Sequence, residues 1–308
     1  MIDYDSHKWH RHLFDVRGTM VREIMHRVAF TTAWAVLVVL LEEYFLRRTI
    51  PVTVHSLVGT ALGLLLVFRT NASYDRFWEG RKLWGGIVNE TRNLARMSSV
   101  LLARQDPEKH AELVRWTIAW AYCTMHSLRG RRDLGPIAEQ LPQGSVKRAL
   151  QAQHAPLWLA IRMSRVIEDA RREGLIDTIQ QQAMDHNVQL LIDYVGACER
   201  IVKTPLPFAY VVHLRRALLL YTFTLPFALL RDMGNATIAA VFFVSYVFYG
   251  IEEIGVQIED PFGYDDNDLP LERICSTIEN NLKSTIDGEV FQCAPIPTEG
   301  DELPQSAV

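Results

Sequence analysis

The sequence predicts an all-α membrane protein with four transmembrane helices and a cytosolic helical domain between the second and the third. Apolar residues make up 49% of the chain, and they are concentrated towards its two ends, each of which carries two membrane-length stretches. The middle of the chain is rich in arginine, glutamate, glutamine and histidine. Its apolar residues recur every three or four positions, as in an amphipathic helix, and no segment alternates as a strand does.

The first transmembrane segment is predicted at 28–41, which is uncharged for 14 residues. It reaches membrane length through the apolar 44–46 if Glu42 and Glu43 lie at the far interface or face the protein interior. Several basic residues precede this segment, and the positive-inside rule therefore places an N-terminal segment, 1–27, in the cytosol.

The second transmembrane segment, 50–68, is uncharged but contains polar residues that a helix facing only lipid does not need. Gly59 and Gly63 give it a small-residue face that lets another helix approach closely. A stripe at four-residue spacing consists of Thr60, Leu64 and Phe68. Around a symmetry axis, such a stripe forms stacked rings that narrow and dry a pore. Ordinary helix packing produces the same spacing, and the pattern alone does not separate these two interpretations.

The short connection between the first two segments predicts an antiparallel hairpin at 28–71. A second hairpin is predicted at 205–257, and its first segment carries Arg215 and Arg216 at membrane depth. Because Pro226 interrupts that segment further, the sequence predicts a discontinuous helix that faces protein or a water-filled cavity.

The fourth segment, 233–251, is uncharged, and Glu252 and Glu253 are interpreted as its exit from the membrane. A turn around Gly234 joins it to the third segment. An even number of crossings leaves both termini in the cytoplasm.

The polar region 72–204 is predicted to be the cytosolic helical domain, bounded internally by glycine- and proline-containing breaks. Its expected helices are 72–104, 108–129, 144–155, 156–172 and 175–202. After the second hairpin, an acidic turn and a cytosolic helix are expected at 258–285. The last residues, 286–308, contain several prolines and glycines and are expected to be disordered.

The acidic turn is a candidate site for a hard cation, because its carboxylates and carbonyls can surround calcium. The candidate ligands are Asp260, Asp265 and Asp268, although the sequence does not match an EF-hand. The alternative is a structural turn in which Asp268 caps the following helix.

Several function classes have no support in the sequence. It contains none of the common catalytic motifs, so no enzyme is predicted, and no resident cofactor is expected. A net charge of −4 gives no electrostatic reason to bind nucleic acid. The four cysteines are widely spaced and match no zinc or redox motif. The cluster of His7, His10 and His12 is compatible with a transition metal, but its spacing matches no defined site, and Trp9 beside it favours an interfacial anchor instead.

Three motifs resemble the bestrophin family of ion channels, in its bacterial form. They are FRTNASYDRFWEGRKLWG at 68–85, TPLPFAYVVHLRRALLLY at 204–221 and IEDPFGYDDNDLPLERICSTIENNL at 258–282. The resemblance implies a homopentamer in the bacterial inner (plasma) membrane, with four transmembrane helices per subunit and one pore on the fivefold axis. It implies passage of chloride or other small monovalent ions, and bacterial members can favour cations.

By motif register, the resemblance places the pore neck on Thr60, Leu64 and Phe68, with a polar threonine where bulky aliphatic residues are usual. It places the cytosolic aperture on Ile179. Animal relatives bind calcium after the corresponding turn, but here Asp260 replaces an asparagine and Tyr264 replaces the first acid, so calcium activation is not expected. The competing hypothesis is a membrane-anchored sensor or interaction protein with a helical cytosolic domain.

Overall fold

The computed structural model describes residues 18–41 and 50–288, and every regular element in these ranges is helical. The α-helices are α1 (Val21–Leu40), α2 (Val52–Leu101), α3 (Pro107–Leu128), α4 (Gln143–Gln151), α5 (Ala155–Arg172), α6 (Thr178–Lys203), α7 (Phe208–Met233), α8 (Thr237–Gln257) and α9 (Leu271–Asp287). Short 3-10 helices lie at Pro136–Gln140 and Gly234–Ala236. The all-helical class predicted from the sequence is confirmed.

Three stretches of the described chain are long and apolar enough to cross a membrane: Val21–Leu40, Val52–Leu101 and Phe208–Gln257. The last of these contains two helices, α7 and α8, joined by the 3-10 turn. The second segment and the first helix of the middle region are one continuous helix, α2, of 50 residues. At 1.5 Å per residue, α2 is about 75 Å long.

The expectation that Pro226 breaks the third segment was wrong, because α7 continues through it to Met233. Proline removes one backbone hydrogen bond, but its surroundings hold the helix in place. Leu225 and Pro226 are buried. Thr222, one turn earlier, is buried and shares a hydrogen bond of 2.9 Å with the Tyr249 hydroxyl of α8. Packing against neighbouring helices therefore compensates for the missing donor.

One compact unit of the described chain comprises residues 18–41, 50–84 and 197–270. In it, α1, α7 and α8 pack around apolar side chains that include Val28 and Leu218. Helices α1 and α7 run parallel, because Val28 packs beside Leu218 and, further along, Trp34 stacks on Phe223 with ring centroids 4.3 Å apart. Their N-terminal halves, which carry Arg27 and Arg215, therefore lie at the same end.

The other unit comprises residues 85–196 and 271–288 of the described chain. Helix α3 packs against α5 and α9, and its Trp116 and Trp120 are fully buried. The Tyr122 hydroxyl donates to the carboxylate of Glu279 at 2.7 Å. Helix α3 begins after Asp106, whose side chain accepts the backbone N–H of Lys109 at 3.0 Å, as an N-cap residue does. These features give the unit a largely apolar interior in which the buried carboxylate of Glu279 is hydrogen-bonded.

Candidate pore face and buried charge cluster

The predicted stripe of α2 is exposed along its whole length. Leu64 is 55% exposed, Phe68 is 57% exposed, and Thr60 is also exposed, with its hydroxyl bonded to the Ser56 carbonyl of the previous turn. Each helical residue advances about 100°, so these three side chains lie within a narrow sector of the helix. The described chain therefore leaves this sector open to lipid, to a pore or to a neighbouring subunit.

The opposite face of α2 is buried against the rest of its unit. Leu62 and Leu66 are buried in the apolar core, and Arg69 lies on the same side with only 1% exposed. Near the start of the helix, His55 stacks on Tyr221 of α7 and contacts the Thr224 hydroxyl at 3.2 Å. These contacts hold α2 in one rotational setting, with the stripe facing outwards.

Gly59 makes the close approach of α2 to α7 possible. A Cβ atom added at this position would lie 2.6 Å from the Tyr221 hydroxyl, which is closer than real Cβ contacts. A side chain here would therefore require the Tyr221 ring to move away from α2. The small-residue role predicted for Gly59 is consistent with this packing.

A buried carboxylate at Glu252 connects four helices. Its Oε1 accepts from Arg69 of α2 at 2.6 Å and from Arg215 of α7 at 3.0 Å. Its Oε2 accepts from Arg27 of α1 at 3.0 Å, and the same nitrogen of Arg27 contacts Glu253 at 3.1 Å. Glu252 and Glu253 are both buried in α8, which continues to Gln257. That they mark the exit of the fourth segment from the membrane stays a prediction.

The charge cluster continues towards the acidic turn. Arg69 lies 3.7 Å from a carboxylate oxygen of Glu259, whose other oxygen accepts the backbone N–H of Leu206 at 3.2 Å. Arg76 donates to the backbone carbonyls of Ile201 and Glu259 at 2.7 and 2.9 Å. These arginines therefore hold the start of the turn against the helices before it.

The candidate calcium ligands take part in the internal hydrogen bonding of the turn. Asp268 Oδ2 accepts the backbone N–H of Asp265 at 2.7 Å, and Asp260 Oδ1 accepts that of Phe262 at 3.4 Å. A Cβ atom at Gly263 would lie 2.6 Å from Asp268, so the turn closes tightly on this carboxylate. Within residues 18–41 and 50–288, no three histidine, cysteine, aspartate or glutamate side chains are placed to hold a metal ion.

The remaining predicted site residues are separate from this cluster. Ile179 lies in the first turn of α6 and is 77% exposed. His7, His10 and His12 lie outside the described residues, as does the region 289–308, so the histidine metal hypothesis and the disorder of 289–308 stay predictions. The expected start of the tail at 286 was wrong, because α9 continues to Asp287. Cys293 also lies in that region. The other three cysteines are buried free thiols.

Sequence reasoning identified Arg215, Glu252 and Glu253 but did not pair them. The available signal was the occurrence of ionisable residues of both signs within apolar segments, since charges at such positions are paired. Their partner Arg69 directly follows the apolar run of α2.

A family model described as "Bacterial/Fungal Bestrophin protein" matches residues 1–284. The chain belongs to the bestrophin family. The resemblance inferred from the three motifs is thereby confirmed.

Relatives of this bestrophin are named as anion channel-forming proteins. A voltage-dependent anion channel-forming protein of Synechocystis is 37% identical over 281 residues, covering 90% of this chain and 92% of the relative. A protein of the same name from Nostoc is 38% identical over 277 residues, covering 89% and 90%. The crystal structure of a bacterial bestrophin homologue from Klebsiella pneumoniae superimposes with a TM-score of 0.82 at 31% identity, covering 86% of this chain and 98% of that one.

Proposed function

We propose that this protein is a homopentameric ion channel of the bacterial plasma membrane, with four transmembrane helices per subunit and both termini in the cytoplasm. Its relatives are named anion channel-forming proteins, and its fold matches a bestrophin homologue. The observation that carries the proposal is the exposed stripe of α2, which lies opposite the buried face of the same helix. Ions pass down their gradient, and the protein is not an enzyme.

The stripe forms the neck of the pore in this proposal. Five copies of Leu64 and Phe68 make two apolar rings, in which an ion loses part of its hydration and receives no charge or oxygen ligand in return. The barrier therefore comes from dewetting. The Thr60 ring is polar and retains water more readily. Ile179 forms a second, separate constriction at the cytosolic aperture.

The sign of the conducted ion depends on charges beyond the neck. Because α2 is continuous, the sector that carries Leu64 and Phe68 also carries Asp75 and Lys82, both of which are exposed. In a pentamer these become one ring of carboxylates and one ring of amines. We propose an anion channel, in agreement with the names of the relatives. The ring of Asp75 carboxylates opposes anion entry, and the ring of Lys82 amines favours it.

The acidic turn is proposed as a structural brace and not as a calcium switch. Asp265 and Asp268 close the turn by a side-chain to backbone hydrogen bond, and Asp260 closes its first residues in the same way. Replacing Asp265 and Asp268 by asparagine is expected to lower the thermal midpoint while leaving the current equal in the presence and absence of calcium. A calcium-dependent current that these replacements abolish would restore the calcium hypothesis.

Single-channel recording in planar bilayers tests the neck. Leu64→Ala and Phe68→Ala are expected to raise conductance or open probability several-fold, because smaller rings hold water more readily. Thr60→Ala is expected to change it less. Val58→Ala is the matched control, because Val58 is exposed on the same helix but lies about 120° from Leu64.

Unchanged currents in both neck variants would show that the stripe faces lipid or neighbouring helices and not a pore. The absence of any ion flux from wild-type protein would favour the membrane-anchored interaction protein instead. Native mass spectrometry in mild detergent tests assembly, and a monomer or dimer there would contradict the pentamer.

Reversal potentials of Asp75→Asn and Lys82→Gln test selectivity. Asn at position 75 is expected to increase the anion preference, and Gln at position 82 to decrease it.

A further inference from the structure

A cavity of about 560 Å³ opens on the surface of the first unit between α1, α7 and α8. Its polar end is lined by His26, Arg27, Arg215 and Glu252. Its other walls are apolar and include Phe30, Leu218 and Leu219. The neck and the acidic turn do not use this cavity.

The two arginines at the polar end have guanidinium N–H groups that donate to no acceptor among the described residues. Arg215 uses its Nε for Glu252 and is 52% exposed, while Arg27 uses NH1 for both glutamates and is 37% exposed. The contacts among the described residues leave both terminal nitrogens of Arg215, and NH2 and Nε of Arg27, without a protein acceptor. Arg27 and Arg215 bond to opposite oxygens of the Glu252 carboxylate, so their guanidinium groups lie on either side of one point of the cavity. A phosphate oxygen placed there would accept charge-assisted hydrogen bonds from both.

The apolar walls lie on one side of this basic end. Phe30 follows His26 and Arg27 by about one turn of α1, and Leu219 follows Arg215 by about one turn of α7. Because α1 and α7 run parallel, both apolar residues lie further along in the same direction. The cavity therefore carries Arg27, Arg215 and Glu252 at the end where the two helices start, and it is apolar towards their middles. A free phosphate ion would make no favourable contact with the apolar walls.

We infer that this cavity binds one anionic phospholipid of the cytoplasmic leaflet, with its phosphate between Arg27 and Arg215 and the start of an acyl chain along Leu219 and Phe30. The inference rests on the proposed membrane orientation, in which both helices start at the cytoplasmic side. Basic pockets between transmembrane helices on that side are suited to anionic headgroups. Because Arg27 and Arg215 also bond to Glu252, the lipid contacts the same cluster that joins the four helices.

Native mass spectrometry of delipidated protein tests the site, using dioleoyl phosphatidylglycerol, dioleoyl phosphatidylcholine and inorganic phosphate as separate probes. Phosphatidylglycerol is expected to bind at one copy per protomer and more tightly than phosphatidylcholine. Arg215→Gln and Leu219→Trp are each expected to weaken that binding by about tenfold, the first through lost hydrogen bonds and the second by filling the cavity. Leu219→Trp keeps every charge, so it tests the site even if Arg215→Gln fails to fold.

The neighbouring residues on α7 supply matched controls. Arg216 and Leu220 are exposed but do not line the cavity, so Arg216→Gln and Leu220→Trp are expected to retain wild-type binding within about twofold. Equal loss in the controls, or equal binding of the two lipids, would show nonspecific lipid contact and overturn the proposal. If inorganic phosphate binds as tightly as phosphatidylglycerol, and Leu219→Trp does not weaken its binding, the site is one for a soluble anion and the lipid proposal is wrong. Absence of lipid binding to wild-type protein would overturn the proposal. None of these readouts requires ion conduction, so the channel proposal stands or falls separately.

Discussion

The two units of this bestrophin place their charges in opposite ways. The unit with the apolar helices buries Arg69 and Glu252 and exposes Leu64 and Phe68. The other unit buries tryptophans and aliphatic side chains, and most of its charged residues are exposed. Each arrangement suits a different surrounding medium. Water favours a charged surface over an apolar core, whereas lipid accepts an apolar surface and leaves the polar contacts to the interior.

This comparison shows where each unit is sensitive. In the second unit, stability depends mainly on apolar packing, and its buried polar contacts are few. In the first unit, the Glu252 carboxylate bonds to arginines from three other helices, although Arg27 also contacts Glu253 and Arg69 lies near Glu259. Leaving a buried charge without its partner lowers the free energy of unfolding far more than breaking a surface ion pair. The stability of the first unit is therefore especially sensitive to changes at Glu252.

The largest effect is expected from Glu252→Gln. Arg69 would stay buried with Glu259 as its remaining carboxylate neighbour, at 3.7 Å. The loss is expected to be about 3–5 kcal/mol of stability, which lowers the thermal midpoint in mild detergent by on the order of 10 °C. Glu253→Gln is the control, because Arg27 keeps Glu252 as a partner. If both variants lose the same stability, the cluster does not depend on Glu252 in particular.

A smaller effect is expected from Tyr122→Phe in the second unit. The change removes the hydroxyl that donates to Glu279, but Lys283 still donates to that carboxylate at 2.6 Å. A hydrogen bond to a charged group contributes about 1.5–3 kcal/mol. Differential scanning fluorimetry should therefore show a decrease in the thermal midpoint that Tyr74→Phe, at an exposed tyrosine, does not share. A decrease as large as that of Glu252→Gln would remove the contrast between the units.

A loss of about 1 kcal/mol is expected from Asp106→Ala, because α3 would lose its N-cap acceptor for Lys109. Asp106→Asn should restore most of the stability, since the amide oxygen can accept the same hydrogen bond. Thermal midpoints of the three proteins measure this. If asparagine does not rescue the alanine variant, the carboxylate acts through its charge and not as a cap.

The smallest effect is a pH dependence at Glu279. Burial opposes ionisation of this carboxyl, but hydrogen bonds from Lys283 and Tyr122 and the charge of Lys283 outweigh it and lower its pKa. A depressed folded-state pKa contributes stability above the unfolded value of about 4.3, and the contribution is lost as the pH falls through the folded-state pKa. The thermal midpoint should therefore fall more steeply in acid for the wild-type protein than for Glu279→Gln. Parallel curves would show that this carboxyl does not titrate differently on folding.

The helices of the middle region could be predicted closely, because their periodicity and their glycine and proline breaks are local signals. The observed α5, Ala155–Arg172, agrees within a residue with the predicted 156–172. The stripe of α2 was also visible in the sequence, since four-residue spacing defines it. What faces the stripe was not, because periodicity identifies a sector of a helix and not its neighbour.

Two features depended on tertiary contacts that the sequence does not display. Pro226 was expected to break α7 on local grounds, but buried contacts around Thr222 keep the helix intact. The contact between Arg69 and Glu252 joins residues separated by 183 positions. No local pattern specifies such a pair, and only the placement of Glu252 in an apolar segment hinted that it needed a partner.

The Glu252 cluster also constrains the order in which the chain can mature. Arg27 and Arg69 leave the ribosome long before Glu252, which follows Arg69 by 183 residues. At roughly 5–20 residues per second, the delay is on the order of 10–40 s. During this interval Arg27 and Arg69 lack the carboxylate to which both bond in the folded protein. A nascent chain that stops before α8 therefore cannot form this cluster, because Glu252 lies in that helix.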